Sequence, residues 1–208
     1  MWCFSVRSTA LGSFTVLVLL VLGCATPPER VGQRLFAGCL EDVDDRATLE
    51  RGVFVCEGKQ DPAPFAGNGR ACGGCHVPGD GFGISVERIG RLPRDHPFFF
   101  DGIDEDQELL RGHGLVHVIA PGDIDEFRAT PKLTHLRRLC DEDGRCGPLG
   151  LLGDRTRNLC AFTQQAIANH MAKTTARRPG QDFRPASTEE CDALVAYLLS
   201  DLVAAPDY

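Results

Sequence analysis

This chain of 208 residues lacks a long apolar run, a surplus of basic residues, an internal repeat and a supply of methionine. Each absence excludes something. The one sustained apolar stretch, from about Ala10 to Leu22, is shorter than the ~20 residues a spanning helix needs, so a permanent transmembrane anchor is not expected. Acidic residues outnumber basic ones, 29 to 22, which argues against nucleic acid or anionic lipid headgroups as partners. With no repeat and no low-complexity tract, the length suits one domain. Methionine occurs twice, and only Met171 lies beyond the first residue. Glycine and cysteine, by contrast, are plentiful, at 23 and ten residues.

The first two dozen residues, "MWCFSVRSTALGSFTVLVLLVLGC", carry one basic residue, Arg7, then the apolar run, then Gly23-Cys24. That is the pattern of a secretory signal, residues 1–23. The ending "VLGC" resembles the lipobox of bacterial lipoproteins, which implies a lipidated Cys24 and attachment to a membrane surface without spanning it. The expected location is a bacterial cell envelope, facing the periplasm. Removing residues 1–23 takes away Arg7 and no acid, leaving 21 basic against 29 acidic residues, a net charge of −8. Such a surface suits a basic redox partner protein. "ATPPERVGQ" reads as a polar, Pro-containing tether, so residues 24–44 are assigned to a linker and 45–208 to the folded domain.

Cys3 leaves with the signal, Cys24 is the lipidation candidate, and Cys72 and Cys75 belong to a motif of their own. Six cysteines remain. An even set in an exported chain reads as a disulfide framework. Cys140 and Cys146 flank the short acidic turn "DEDGR" and form one expected local bridge. Cys160 and Cys191 fall in two expected helices and would staple them, which leaves Cys39 with Cys56.

The most informative stretch is "GNGRACGGCHVPGDGFG", residues 67–83, with Cys72-Gly73-Gly74-Cys75-His76 at its centre. Two thiols separated by two residues can add to the two vinyl groups of one haem, and the adjacent imidazole can then bind the iron. This is the attachment signature of haem c, with the intervening glycines expected to keep bulk away from the porphyrin. A structural zinc site would call for four ligands, commonly a second cysteine pair, and none is present. A thioredoxin-like dithiol would open a helix beside a βαβ pattern, which is also absent.

Elsewhere the pattern is largely helical. "DRATLERGVFVCEG" spaces Leu49, Val53 and Cys56 helically. "LCAFTQQAIANHMAKT" puts Leu159, Phe162, Ala166, Ile167 and His170 on one face, and "STEECDALVAYLLSDL" opens with a capping-box pattern, Ser187 with Glu190. "ELLRG" suits a short helix and "LVHVIA" a short strand. The expected fold class is all-α, a cytochrome c-like helical domain with long loops around one haem c. An electron carrier needs a second axial ligand, and the candidates are His170 and Met171, at the end of an amphipathic helix. His96, His113, His117 and His135 have weaker claims, because loop or surface positions suit them better.

The segments "LERGVFVCEG", "FAGNGRACGGCH", "LPRDHPFFF", "LLRGHGLVHV", "FRATPKLTHL" and the closing "LCAFTQQAIANHMAKTTARRPGQDFRPASTEECDALVAYLLS" together resemble the di-haem cytochrome c peroxidase superfamily. The resemblance implies haem ligation by Cys72, Cys75 and His76, and a link to peroxide chemistry. The chain departs from that family in carrying one haem signature where its members carry two. With one iron, the second electron for peroxide cleavage would have to come from a side chain or the porphyrin. The reading is therefore a mono-haem electron-transfer protein, with a peroxide-reducing haem enzyme or a non-catalytic haem subunit of an envelope complex as alternatives.

Overall fold

The computed structural model describes residues 25–99, 107–120, 124–147, 149 and 156–204. The signal segment and Cys24 lie outside them. Among the described residues no helix is long and apolar enough to cross a membrane.

The first helix, α1, spans Pro28–Ala37, inside the stretch assigned to a tether. Its end signals are strong ones: proline at the first turn, Glu29 near the start, Arg34 near the end, and Gly38 in the left-handed conformation, φ +75°, as terminator. The folded part therefore begins about 17 residues earlier than the expected boundary at Asp45. A second helix, α2 (Asp45–Arg51), is capped by the Asp44 carboxylate, which accepts from Ala47 N–H at 3.0 Å. It stops at Gly52, φ +62°, so Val53 and Cys56 fall beyond it and Leu49 is 82% exposed. The helical spacing of those three side chains does not describe a buried face.

The motif forms a single turn, α3 (Cys72–Cys75), and is followed by α4 (Val86–Arg91), α5 (Gln107–His113), an antiparallel hairpin of β1 (Leu115–Ala120) with β2 (Ile124–Ala129), and α6 (Leu136–Leu139). Two longer helices, α7 (Leu159–His170) and α8 (Thr188–Leu198), complete the chain. The hairpin overturns the all-α expectation: the described chain is a mixed structure. Its origin is local. Gly114, at φ +67°, ends α5, and the β-branched residues that follow pair in register from Leu115 opposite Ala129. The short strand expected at "LVHVIA" is β1.

All three disulfides pair as the spacing suggested: Cys39–Cys56, Cys140–Cys146 and Cys160–Cys191. The last joins α7 to α8. The capping box at α8 is also present, Ser187 and Glu190 bonding reciprocally.

The main core gathers Phe36, Phe65, Phe82, Leu159, Ile167, Met171, Leu194 and Tyr197 around the α1–α8 crossing. Phe36 and Tyr197 meet there with ring centroids 5.2 Å apart. That crossing is close because Gly32 faces Ala193: a Cβ at Gly32 would fall 1.9 Å from the Ala193 carbonyl oxygen. Overpacking of this kind costs about 1–3 kcal/mol. Gly32→Ala is accordingly expected to lower the urea midpoint by that equivalent, whereas Gly90→Ala, with nothing near the new methyl, is expected to stay close to wild type. Equal midpoints would show that α1 does not dock on α8. A second, smaller cluster holds Ile89, Phe98, Phe99 and Leu110 from α4, the following turn and α5.

Candidate functional site

The site is built around α3. Among the described residues Cys72 and Cys75 are the only cysteines outside the disulfides. They face different surroundings. Cys72 packs on the main core, and Cys75 packs on the smaller cluster with Ile84, Leu92 and Val116. One helical turn thus presents its two thiols to the seam between two apolar bodies. Burial, and after it the neighbouring Cys75 charge, pushes the Cys72 thiol up to about 12. A reactive dithiol of the thioredoxin kind has its thiol pushed the other way.

The glycines of the motif differ in role. A Cβ on Gly73 would sit 2.6 Å from the Phe54 ring and 3.2 Å from Ala37 Cα, so its smallness serves the approach of α1. Around Gly74 there is open space.

His76 leaves the helical turn with its Nδ1 2.8 Å from the Phe82 carbonyl oxygen. A carbonyl only accepts, so Nδ1 carries the proton and Nε2 of the neutral ring keeps its lone pair. Burial lowers the His76 pKa, against the pull of the Phe82 and Pro131 carbonyls. The ring is therefore uncharged near neutrality, the state in which imidazole ligates a metal. Its anchor is a strained one. Phe82 is held at φ +56°, a region bulky residues avoid, by its N–H bonding Val77 O at 2.9 Å and by Val77 N–H bonding Gly83 O at 2.7 Å. Asp80 braces the same loop, accepting from Ser85 N–H at 2.8 Å and Arg88 Nε at 2.9 Å.

The loop before α3 is fastened to the end of α7, about one hundred residues away. Asn68 does most of it. Its Nδ2 donates to the carbonyls of His170 and Ala172, both at 3.1 Å, and its backbone N–H donates to Met171 O at 2.9 Å. Gly67 permits the approach, since a Cβ there would fall 1.9 Å from Met171 O. The fold thus brings His170 and Met171 to the motif, but it treats them differently. Met171 is buried in the main core at 4% exposure. The His170 pKa is pushed down to about 4 by burial first, then by the positive charges of Arg70, His76 and Arg177. The His76 contribution puts the His170 ring within electrostatic reach of His76.

The other histidines stand apart. His96 Nδ1 accepts from Phe98 N–H at 3.1 Å, His113 and His135 are exposed, and His117 stacks on Phe127 in the hairpin at 4.5 Å. Sequence reasoning did not single out Asn68, Arg70, Phe82 or Arg177. The "GNGR" preceding the motif was the one available signal, as a glycine-flanked asparagine next to a cation.

The residues present suit a covalently held haem c. Two thiols one turn apart, apolar residues packed against each, and an adjacent imidazole are the donor set that group requires. Zinc would need its ligands to converge, and among the described residues no three His, Cys, Asp or Glu side chains are grouped closely enough to hold a metal ion. No family model, curated protein or solved structure matches this chain.

Proposed function

We propose that this protein is a mono-haem c-type cytochrome that transfers electrons at a bacterial envelope surface, held there by lipid on Cys24. The observation that carries the reading is the arrangement at α3. Six cysteines are spent in disulfides, while Cys72 and Cys75 stay as thiols on one helical turn, followed directly by an imidazole whose Nδ1 is already engaged. When bound, haem c would supply a one-electron iron couple. Cys72 and Cys75 would fix it covalently, and His76 would present Nε2 to the iron. Phe82 O would orient that ring, and the apolar walls would exclude water. His170 is the favoured second ligand, because Asn68 holds its backbone against the motif loop and its ring interacts with His76. A bis-histidine pair gives a lower potential than a histidine–methionine pair. The acidic surface, net −8 without residues 1–23, would receive a basic redox partner.

A second reading is a peroxide-reducing haem enzyme, and one observation favours it. The charges of Arg70 and Arg177 act on His170 and lower its pKa, and cationic charge near an imidazole is equipment that can polarise a peroxide bond. Optical spectroscopy of the purified ferric protein separates the two. Electron transfer is expected to give a low-spin, six-coordinate spectrum that dithionite and ferricyanide interconvert and that hydrogen peroxide leaves unchanged. A high-spin spectrum that hydrogen peroxide alters would favour the enzyme. A colourless protein with the mass of the bare polypeptide would overturn both.

A further inference from the structure

The smaller cluster of Ile89, Phe98, Phe99 and Leu110 has a charged rim. Arg111 follows Leu110 on α5, and its guanidinium carbon lies 3.7 Å from the centroid of the Phe99 ring. The Phe98 ring meets Phe99 edge-on at 5.3 Å and holds that platform in place. Stacking on an aromatic face steadies a guanidinium but satisfies none of its N–H groups. Arg111 Nη2 is buried and has no hydrogen-bond partner among the described residues. A buried donor on a charged group is costly when unmet, and it calls for an acceptor.

Arg111 lines an open cleft of about 450 Å³ together with Arg94, Glu108 and Gly112. That size lies within the range of small-molecule sites. Gly112 leaves it roomy, since a Cβ there would meet nothing within 4 Å. Arginines before and after these two along the chain are committed: Arg88 to Asp80, Arg91 to Glu87 and Arg128 to Glu126. Neither Arg94 nor Arg111 has an ion-pair partner among the described residues, Glu108 included. Two cations with directed donors and one carboxylate therefore border the same volume.

We propose that this cleft binds inorganic phosphate, with Arg111 and Arg94 donating to its bare oxygens and Glu108 accepting from its remaining P–OH. Arginine supplies the charge-assisted, planar donors that phosphate oxygens take. Glu108 supplies the selection. At neutral pH phosphate keeps at least one proton, whereas sulfate and simple carboxylates keep none. The Glu108 carboxylate can accept from phosphate, but it meets sulfate only as an unpaired like charge. None of Cys72, Cys75, His76 or His170 lines the cleft, so the inference does not rest on the haem reading.

Titration calorimetry of the full-length protein with sodium phosphate, at neutral pH and fixed sodium chloride, is the test. One site per chain is expected, with sulfate bound about tenfold more weakly or worse. Arg111→Gln is expected to weaken phosphate binding by about tenfold, the scale of one charge-assisted hydrogen bond. Should R111Q not fold, Arg94→Gln, at an exposed residue outside the core, is expected to show the same loss. Glu108→Gln is expected to erase the discrimination between phosphate and sulfate. A wild-type protein that fails to bind phosphate at millimolar concentration, or that binds sulfate equally well, would overturn the proposal. Undiminished phosphate binding in folded R111Q or R94Q would overturn it too, as would an E108Q protein that still rejects sulfate.

Discussion

Replacing both motif thiols, Cys72→Ala with Cys75→Ala, is expected to abolish covalent haem completely while leaving the fold intact. The chain should emerge from a host with export and haem-attachment machinery at the mass of the bare polypeptide, negative to haem staining after denaturing electrophoresis. Each single variant is expected to retain one thioether and a weakened stain. The fold should survive because neither thiol belongs to the three disulfides that brace the chain. Far-ultraviolet circular dichroism of the double variant is expected to overlay that of wild type with haem removed. Pigment surviving denaturation in the double variant would mean that the group is attached elsewhere, and the reading of α3 would fail.

The second large effect concerns the end of α7. His170→Ala is expected to convert a low-spin ferric spectrum to a high-spin one, the full change that follows the loss of an axial ligand. Met171→Ala is expected to leave those bands in place and to destabilise the fold by about 2–5 kcal/mol, the range for truncating a large core side chain. Absorption spectra and denaturant midpoints of the two variants check both statements. The contrast follows from packing: Met171 lies in the main core at 4% exposure, while the His170 ring interacts with His76. A Met171→Ala spectrum that turns high-spin, beside an unchanged His170→Ala, would reverse the assignment. The potential should then be higher than a bis-histidine site gives.

Much of this was legible in the sequence where one short-range rule governs. The capping box at Ser187 and Glu190 needs four residues to read, and α8 starts there. The three cysteine pairings followed from a tight turn, two helices and elimination. What escaped depended on partners far along the chain. Helix α1 has few apolar residues, and its prolines read as a tether; it is fixed by Gly32 against Ala193, a contact across about 160 residues. The hairpin was missed at the level of fold class although its first strand was noted, because β2, "IDEFRA", has no strand pattern of its own and depends on β1. The site divides in the same way. Cys72, Cys75 and His76 are contiguous and declare themselves. Asn68, Arg70 and Arg177 acquire meaning only when the loop before α3 reaches the end of α7.

The partly buried position of Cys72 bears on which sulfurs pair as the chain folds. Surroundings oxidising enough to close three cystines also tend to close a fourth between two thiols one turn apart, and a cystine at that spot could not accept the proposed haem. Thiolate, not thiol, attacks in disulfide exchange. With its thiol pushed up to about 12, Cys72 stays protonated at neutral pH. In the folded chain Cys72 is therefore held as the thiol and enters disulfide exchange slowly, which protects it from pairing with Cys75 once the fold has closed.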